Sequence, residues 1–393
     1  MQVCGIICEY NPFHNGHAYH LREARRLSQA DYIVCVMSGP VTQRGSFARH
    51  DKWSRTRAAL QSGADLVLEL PVRFSCAPAG EFASGSLSIL RALGVVTHFS
   101  FGCESSALPL LDPVSQLYKE EGKPFTDALH ARLASGLSYP AARAGAAQDV
   151  LRIPDLSASL SEPNAILALE YLTRLPDGMI PVPVERKGDG YHAAALSEYA
   201  SATAIRTALE SGDLSSALAC VPDPEILRIQ ETEGYVHEPD SLDTALLFRL
   251  RTLHASELSQ ITGMSEGLEN RFLDEARKAG TREDLLQAVK TRRYTYSRLS
   301  RISSHVLLHL TDEFASSHPE PEYARILGFR NTALPLLHTI KERTHVPLLS
   351  KCAGFSSPLF EKDVLAQDLW ALGCRNPARR KAGQDYITSP ILL

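Results

Sequence analysis

Short, mainly apolar segments alternate with helical segments through the first hundred residues, and this alternation limits the fold more than any other feature. The apolar runs cover residues 3–8, 32–37, 65–70 and 95–101. Between them, apolar residues recur at helical spacing over residues 17–27, 51–61 and 81–93. Continuous apolar strands separated by helices are typical of a parallel sheet that is covered on both faces. The sequence therefore predicts an α/β fold that starts with a Rossmann-like parallel sheet.

The middle of the chain carries weaker patterns. We expect loops at residues 108–113 and 134–154, and an amphipathic helix over residues 164–175. Two prolines interrupt residues 180–184, so this segment can form only an edge strand or an extended stretch.

Beyond about residue 210 strand patterns almost vanish, and helical spacing dominates. Five segments show it, at residues 240–253, 265–279, 282–290, 297–310 and 332–343. Ser, Gly, Asp and Pro cluster at residues 211–224, which is typical of a connection between domains. We therefore predict an N-terminal α/β domain of residues 1–212 and a mainly α-helical C-terminal domain of residues 213–393.

Composition excludes some classes of protein. The net charge of −4, from 41 basic and 45 acidic residues, excludes a histone-like polycation but allows a local basic patch. The eight cysteines form no CxxC pair, so we expect reduced thiols in a cytoplasmic protein. No stretch approaches the 18 or so apolar residues of a membrane span, and the first apolar run reads as a strand rather than a signal peptide. Nothing in the sequence points to an obligate protein partner.

The sharpest motif is EYNPFHNGH at residues 9–17, between the first strand and the first helix. A helix N-terminus at this place attracts anions, because its backbone N–H groups are unpaired and its dipole is positive. Gly16 allows a ligand to approach the backbone, and His14 and His17 face the same side of the first turn. We interpret the motif as a phosphate site; a zinc pair and simple helix capping are the alternatives. We predict no metal site, because no third ligand stands out at a suitable spacing.

A second motif, SATAIR at residues 201–206, opens a later helix. Hydroxyl groups at a helix start, with an arginine one turn on, suit a triphosphate tail. The alternative is a helix cap with a surface arginine. The presence of both motifs in the same half of the chain favours a bound nucleotide.

These two motifs together resemble the nucleotidyltransferase superfamily, in which HxGH is followed by S-x-T-x-x-R. Longer runs narrow the match, and they extend over nearly the whole chain. The chain closely resembles the bacterial tRNA(Met) cytidine acetate ligase family in GIICEYNPFHNGHAYHL, VMSGPVTQRG, DKWSR, GADLVLELP, FGCES, EPNAILALEYL, ERKGDGYH, ASATAIR, NRF, TRRYTYSR and RILGF.

The resemblance implies an enzyme that activates acetate with ATP as acetyl-adenylate and releases pyrophosphate. It would then acetylate the wobble cytidine of elongator tRNA(Met), forming N4-acetylcytidine, and Mg²⁺ is a plausible companion of ATP. The N-terminal domain would be the nucleotidyltransferase domain and the C-terminal domain would bind tRNA. The resemblance implies an ATP site that comprises Ile7, Cys8, Glu9, Tyr10, Asn11, Pro12, Phe13, His14, Asn15, Gly16, His17, Ala18, Tyr19, His20, Gly102, Asn164 and Arg186. From the chemistry of phosphoryl transfer we predict His14, His17 and Arg206 as catalytic residues, and Ser201 and Thr203 as further ATP ligands.

A basic segment in the helical half is a candidate surface for RNA. Residues 285–311 contain no acidic residue. Guanidinium groups pair with phosphates and tyrosines stack on unpaired bases. We therefore predict tRNA contacts from Lys290, Arg292, Arg293, Tyr294, Arg298 and Arg301. The alternative is a solvated helix face. Arginines and a lysine at residues 375–381 form a second cluster.

Two other functions remain open from the residues alone. A small-molecule adenylyltransferase that makes a dinucleotide cofactor would explain both phosphate motifs but leaves the basic half without a role. A non-enzymatic RNA-binding protein would leave the phosphate motifs unexplained. The sequence identifies no general base, because Asp31, Asp51 and Glu69 are equally typical of caps and surface charges. Lys52 and Arg55 could face phosphate or solvent.

Overall fold

Five parallel strands form the larger part of the sheet in the computed structural model, which describes residues 1–187 and 197–393. The strand order is β5-β4-β1-β2-β3-β6-β7, and β8 also pairs with β6. Strands β1 to β5 are mutually parallel, whereas β6 runs antiparallel to β3. The strands are β1 Val3–Cys8, β2 Tyr32–Ser38, β3 Leu66–Leu70, β4 His98–Cys103, β5 Ile180–Glu185, β6 Ala324–Phe329, β7 Leu348–Leu349 and β8 Ile391–Leu392. The predicted parallel sheet is thus confirmed, with β5 at its edge.

Helices cover both faces of this sheet. Those of the first half are α1 Asn15–Ser28, α2 Lys52–Gln61, α3 Val72–Ser75, α4 Ala79–Ala92, α5 Leu111–Glu120, α6 Lys123–Ala134, α7 Tyr139–Leu151, α8 Leu156–Ser159 and α9 Pro163–Arg174. Side chains of β1 alternate between the faces: Val3 belongs to a core shared with α4 and α9, whereas Cys4 and Ile6 belong to one shared with α1 and α2. Successive residues of a strand point to opposite faces, so a short strand supplies both cores.

The second half of the described chain is mainly helical, as predicted. Its helices are α10 Ala202–Glu210, α11 Leu214–Ala219, α12 Pro224–Glu233, α13 Asp243–Thr252, α14 Ala255–Leu258, α15 Leu268–Ala276, α16 Arg282–Val289, α17 Tyr296–Leu308, α18 Asp312–Ser317, α19 Leu334–Arg343, α20 Pro358–Leu372 and α21 Gln384–Ile387. Helices α13 to α17 enclose a core of their own, which includes Leu250, Phe272 and Ile302. Three strands of this half, β6 to β8, nevertheless join the sheet. The division of the chain at residue 212 stays a prediction.

The two loops predicted in the middle of the chain are wrong. Residues 108–110 form a 3₁₀ turn and α5 begins at Leu111, while α7 occupies most of residues 134–154. Helix α7 buries small side chains, among them Ala142, Ala146 and Ala147. Alanines give little contrast between an apolar and a polar face, so the periodicity that identifies a helix is weak here.

A buried ionic network fastens the second half of the chain to the first. The Lys52 ammonium lies 2.7 Å from a carboxylate oxygen of Glu69 and 2.7 Å from Oδ1 of Asp385. Arg325, on β6, contacts the same two carboxylates at 2.8 and 3.0 Å. All four side chains are buried. Lys52 therefore faces neither phosphate nor solvent; it neutralises charge inside the fold.

Candidate active site

The first turn of α1 places two imidazole rings face to face. His14 is the N-cap, and its Nδ1 accepts a hydrogen bond from the Gly16 N–H at 3.1 Å. Nδ1 of His17 accepts from the His14 N–H at 3.2 Å, which completes a reciprocal capping box. The ring centroids are 3.6 Å apart and the planes are 27° from parallel. Because each Nδ1 is an acceptor, a neutral ring carries its proton on Nε2.

Both rings are held in the neutral form. Burial, with the charges of Arg186 and Arg206, lowers the pKa of His14 to about 3. Burial and the neighbouring His14 lower the pKa of His17 well below its usual value. The pair is therefore uncharged at physiological pH and keeps two Nε2–H donors. His20, one turn farther, has a pKa lowered to about 4 by burial and lies 3.0 Å from the Ser100 hydroxyl.

Gly16 is required by the ring beside it. A Cβ atom at this position would lie 2.9 Å from Cε1 and 3.0 Å from Nδ1 of His14. Any side chain would therefore push against the imidazole and the hydrogen bond that orients it. This is a steric reason for the glycine, in addition to the access to the backbone predicted from the sequence.

The rest of the first-strand loop is held by contacts within the protein. The Tyr10 ring packs on Phe13 at 4.7 Å and on His17 at 4.8 Å between centroids. Oε1 of Glu9 accepts from the Gln43 N–H at 2.6 Å, and Oδ1 of Asn11 accepts from the Arg49 N–H at 2.9 Å. These contacts fix the path of the loop between β1 and α1.

Helix α10 meets this loop directly, so the structure brings the two predicted phosphate motifs together. Ser201 caps α10 by accepting from the Ala204 N–H. The Arg206 guanidinium donates to the Asn11 carbonyl at 2.6 Å and to the Thr203 hydroxyl at 3.1 Å. The Asn15 amide donates to the Glu198 carbonyl at 3.0 Å. Asn15 therefore joins the two segments.

The predicted residues from the middle of the chain converge beside the histidines. Gly102 lies on β4 opposite Val184 of β5, and Arg186 follows β5. Nδ2 of Asn164, on the first turn of α9, donates to Oε1 of Glu104 at 2.5 Å. The Arg186 side chain passes beside Gly102, since a Cβ atom there would lie 3.4 Å from its Cγ. Burial lowers the pKa values of His14, His17 and His20, and the charge of Arg186 adds to this effect.

The site occupies the carboxyl ends of β1 and β4. These neighbouring strands lie where the chain order reverses across the sheet, which is the usual ligand position in an open α/β fold. Glu104 is the residue of this site that sequence reasoning missed. Glu104 lies in the FGCES run, which was part of the family resemblance. Its role was not predictable from that run, because the partners of the carboxylate lie about 60 to 80 residues away along the chain.

Several charged residues near the site serve the fold. Asp51 caps α2, and Arg55 donates to the carbonyls of Glu9 at 2.6 Å and of Gly39 at 2.6 Å. Arg55 is buried, so the prediction that it faces phosphate or solvent is wrong. It ties the ends of β1 and β2 together and in this way supports the site. Asp31 accepts from the Gln2 N–H and Glu69 lies in the buried ionic network.

The six residues predicted to bind RNA fall into two groups. Lys290, Arg292 and Arg293 are exposed, and Glu266 pairs with Arg293 at 2.6 Å and accepts from the half-buried Tyr294 hydroxyl at 3.1 Å. Arg298 instead donates to the Gly263 carbonyl at 2.9 Å. Arg301 donates to the Gln43 carbonyl at 3.4 Å, and burial lowers its pKa. These last two side chains are half-buried and bind other parts of the protein.

The second basic cluster is partly neutralised. Arg375 pairs with Glu238, and Arg379 lies 2.8 Å from Glu233.

Within residues 1–187 and 197–393, no group of three or more His, Cys, Asp or Glu side chains is placed to hold a metal ion. None of the helices in the same ranges is long and apolar enough to cross a membrane.

Comparisons with known proteins agree with this geometry. The model of the HIGH Nucleotidyl Transferase family matches residues 1–385. The tRNA(Met) cytidine acetate ligase of Acetivibrio thermocellus is 37% identical to this chain over 419 residues, and the match covers 100% of both proteins. That of Bacillus subtilis is 36% identical over 405 residues, and the match covers 100% of this chain and 97% of the relative. The crystal structure of Thermotoga maritima TmcAL bound with alpha-thio ATP is 32% identical, with a TM-score of 0.92 and full coverage of both chains. The chain belongs to the HIGH nucleotidyltransferases and, among them, to the tRNA(Met) cytidine acetate ligase family.

Proposed function

We propose that this enzyme activates acetate with ATP and transfers the acetyl group to the wobble cytidine of elongator tRNA(Met). The observation that carries the proposal is the meeting of two phosphate motifs, since Arg206 of α10 donates to Asn11 in the loop that leads to His14 and His17. The full-length relatives named as ligases for this tRNA support the choice of substrates. They also disfavour a small-molecule adenylyltransferase.

In the first step, a carboxylate oxygen of acetate attacks the α-phosphorus of ATP. An acetyl–phosphate anhydride bond forms, and the bond to pyrophosphate breaks. Such a transfer depends on positioning and on stabilisation of charge rather than on a covalent nucleophile. The Nε2–H groups of His14 and His17 donate to phosphate oxygens in the transition state. Ser201, Thr203 and Arg206 hold the leaving pyrophosphate.

The nucleoside and the α-phosphate are bound by the first-strand loop, residues 7–20, together with Gly102, Asn164 and Arg186. We propose Mg²⁺ as the ion that accompanies ATP. Phosphate oxygens and water would hold it, as is usual for Mg²⁺ on nucleotides, because the described residues offer no cage of their own.

In the second step, the exocyclic amine of cytosine attacks the acetyl carbonyl. A carbon–nitrogen bond forms, AMP leaves and the amine loses a proton. The RNA approaches along the helical half, where Lys290, Arg292 and Arg293 are exposed and Tyr294 is half-buried. The half-buried Arg298 and Arg301 support this surface through their contacts with the carbonyls of Gly263 and Gln43. We place the nucleotidyltransferase domain at residues 1–212 and the tRNA-binding domain at residues 213–393, in a cytoplasmic protein.

One experiment tests the function directly. The protein is incubated with ATP and labelled acetate, with and without tRNA, and label is followed into RNA and into acetyl-adenylate. We expect acetyl-adenylate without tRNA and N4-acetylcytidine in elongator tRNA(Met) when that tRNA is present. Label that never enters RNA, or adenylate that requires a different acid, would contradict the proposal. Initiator tRNA is the matched control substrate.

A further inference from the structure

A buried carboxylate oxygen in the site lacks a hydrogen-bond donor. Oε1 of Glu104 accepts from the Asn164 amide at 2.5 Å and lies 3.8 Å from Nε of Arg186. Oε2 of the same carboxylate is buried and has no partner in the described part of the chain. Buried polar atoms are nearly always paired, because leaving one without a partner costs about 1–3 kcal/mol. An oxygen of this kind beside a ligand site indicates that a ligand supplies the donor.

The position of Glu104 relates this oxygen to the rest of the site. It follows directly after β4, two residues beyond Gly102. A Cβ atom on Gly102 would meet nothing closer than Cγ of Arg186, at 3.4 Å, so the strand leaves room for a flat group. Arg186 pairs with Glu104 and also acts on His14, His17 and His20 through its charge. Glu104 therefore lies at the carboxyl end of β4, next to β1, whose following loop carries the imidazoles.

The chemistry of the oxygen selects its partner. An ionised carboxylate only accepts hydrogen bonds and repels phosphate. The donor must therefore be a hydroxyl or an amine. In a nucleotide whose phosphates lie at His14 and His17, the ribose comes next along the molecule and carries two hydroxyl groups. The exocyclic amine of adenine lies farther from the phosphates.

We propose that Oε2 of Glu104 accepts a hydrogen bond from a ribose hydroxyl of the bound nucleotide. Asn164 is a positioning residue in this arrangement, because its amide donates to Oε1 and leaves Oε2 as the available acceptor. The inference rests on the proposed function, which places ATP in this site. It adds a residue that distinguishes ribonucleotides from deoxyribonucleotides.

Calorimetric titrations with ATP, 2′-deoxy-ATP and 3′-deoxy-ATP test this contact. We expect the wild-type protein to bind one of the deoxy analogues about 10- to 100-fold more weakly than ATP, as a lost charge-assisted hydrogen bond implies. In Glu104→Ala, ATP should bind about as weakly as that analogue, and the difference between the two ligands should disappear. Glu120→Ala, on an exposed glutamate, is the matched control and should discriminate like wild type.

Each other outcome has a separate meaning. Unchanged discrimination in Glu104→Ala, or no discrimination in the wild type, would overturn the ribose contact. If Glu104→Ala instead stops distinguishing ATP from inosine triphosphate, Oε2 binds the adenine amine, and the ribose contact is again overturned. Failure of the wild type to bind ATP would contradict the proposed function itself. If Glu104→Ala does not fold, Glu104→Gln keeps the size of the side chain and should still reduce the discrimination.

Discussion

The two stacked histidines can act as neutral donors because each Nδ1 is already occupied by a backbone N–H of the same helix turn. Burial and the nearby arginines keep the rings uncharged. A neutral donor loses less energy on desolvation and is strengthened when charge develops on the phosphate.

Replacing one of these rings should affect catalysis far more than folding. We expect His17→Ala to slow acetate-dependent exchange of pyrophosphate into ATP by about 10²–10³, or roughly 2–4 kcal/mol, because one transition-state hydrogen bond is lost. The control is His338→Ala, which removes an exposed imidazole on α19. Near-normal exchange by a folded His17→Ala protein would remove His17 from the catalytic machinery.

Sequence reasoning selected candidate residues that lie in short motifs, whereas residues whose role depends on distant partners gave no comparable signal. His14, His17 and Arg206 lie in local patterns with a clear physical meaning at a helix start. Glu104 and Arg55 have no such pattern, because their partners come from other segments. A lysine in a helical segment, such as Lys52, is expected at the protein surface unless the carboxylates that neutralise it are known.

At the scale of elements, helix α17 is joined to the active-site loop through Gly45. The carbonyl of Gly45 accepts from Arg282 at 3.0 Å and from the Ser304 hydroxyl at 2.7 Å. Two residues earlier, Gln43 donates to Glu9. The helix that begins beside the exposed basic residues is therefore connected to the loop after β1 by a few polar contacts.

Gly45→Ala should break this junction. Gly45 has φ +77°, and a Cβ atom there would lie 2.5 Å from Cα and N of Arg301, which are backbone atoms that cannot turn away. Gly354→Ala is the matched control, since Gly354 has φ +83° and no atom within 4 Å of the added carbon. We expect Gly45→Ala to lower the free energy of unfolding by about 1–3 kcal/mol more than the control does, measured by urea denaturation. Equal losses would mean that only backbone conformation matters at Gly45.

Strands with strong apolar runs and helices with one polar face could be predicted from the sequence. A helix whose buried face is alanine and a strand that depends on a distant partner could not. The four N-terminal strands are confirmed, and the two prolines correctly limited β5 to an edge. Helix α7 was missed because its core face is alanine. Strand β6 was missed because Ala324–Phe329 lies among helices, and its pairing with β3 joins residues more than 250 positions apart.

At the scale of the whole molecule, nucleotide chemistry and RNA binding should be separable. Reversal of Arg292 and Arg293 to Glu should weaken tRNA binding but spare acetyl-adenylate formation, because these exposed side chains belong to the helical half. Each lost phosphate contact should also reduce the steepness of log affinity against log salt by about 0.7–0.9. The measurement is tRNA affinity over a salt series, beside pyrophosphate exchange.

A matched double reversal controls for net charge. Lys119 and Lys123 are exposed in the first half of the chain, and Lys119→Glu with Lys123→Glu changes the charge by the same amount. We expect this variant to bind tRNA like wild type. Equal weakening by both variants would show a general charge effect, and unchanged affinity in the Arg292 and Arg293 variant would move the RNA surface elsewhere, first to residues 375–381.

Stability should fall as the pH is lowered below neutrality. Burial lowers the pKa of His14 to about 3 and the pKa values of His20 and His237 to about 4, whereas an unfolded chain protonates histidine near pH 6.5. Below about pH 6.5 the unfolded state therefore binds more protons, and each such group removes up to about 1.4 kcal/mol per pH unit. We expect urea midpoints to decrease from pH 7.5 to pH 5, and less steeply in His237→Gln.

His338→Gln, at an exposed position on α19, is the control for the substitution itself. A urea midpoint that stays constant between pH 7.5 and pH 5 would mean that these imidazoles titrate in the folded protein as they do in water.

The buried network around Lys52 has a consequence for synthesis on the ribosome. Lys52 and Glu69 leave the exit tunnel early, but Arg325 and Asp385 follow only after about 250 to 330 further residues. At 5–20 residues per second, the nascent chain waits roughly 15–65 s before the partner Asp385 is made. During that interval β3 keeps an open edge where β6 will pair. A growing chain of this protein should therefore engage holding chaperones until its late segments arrive.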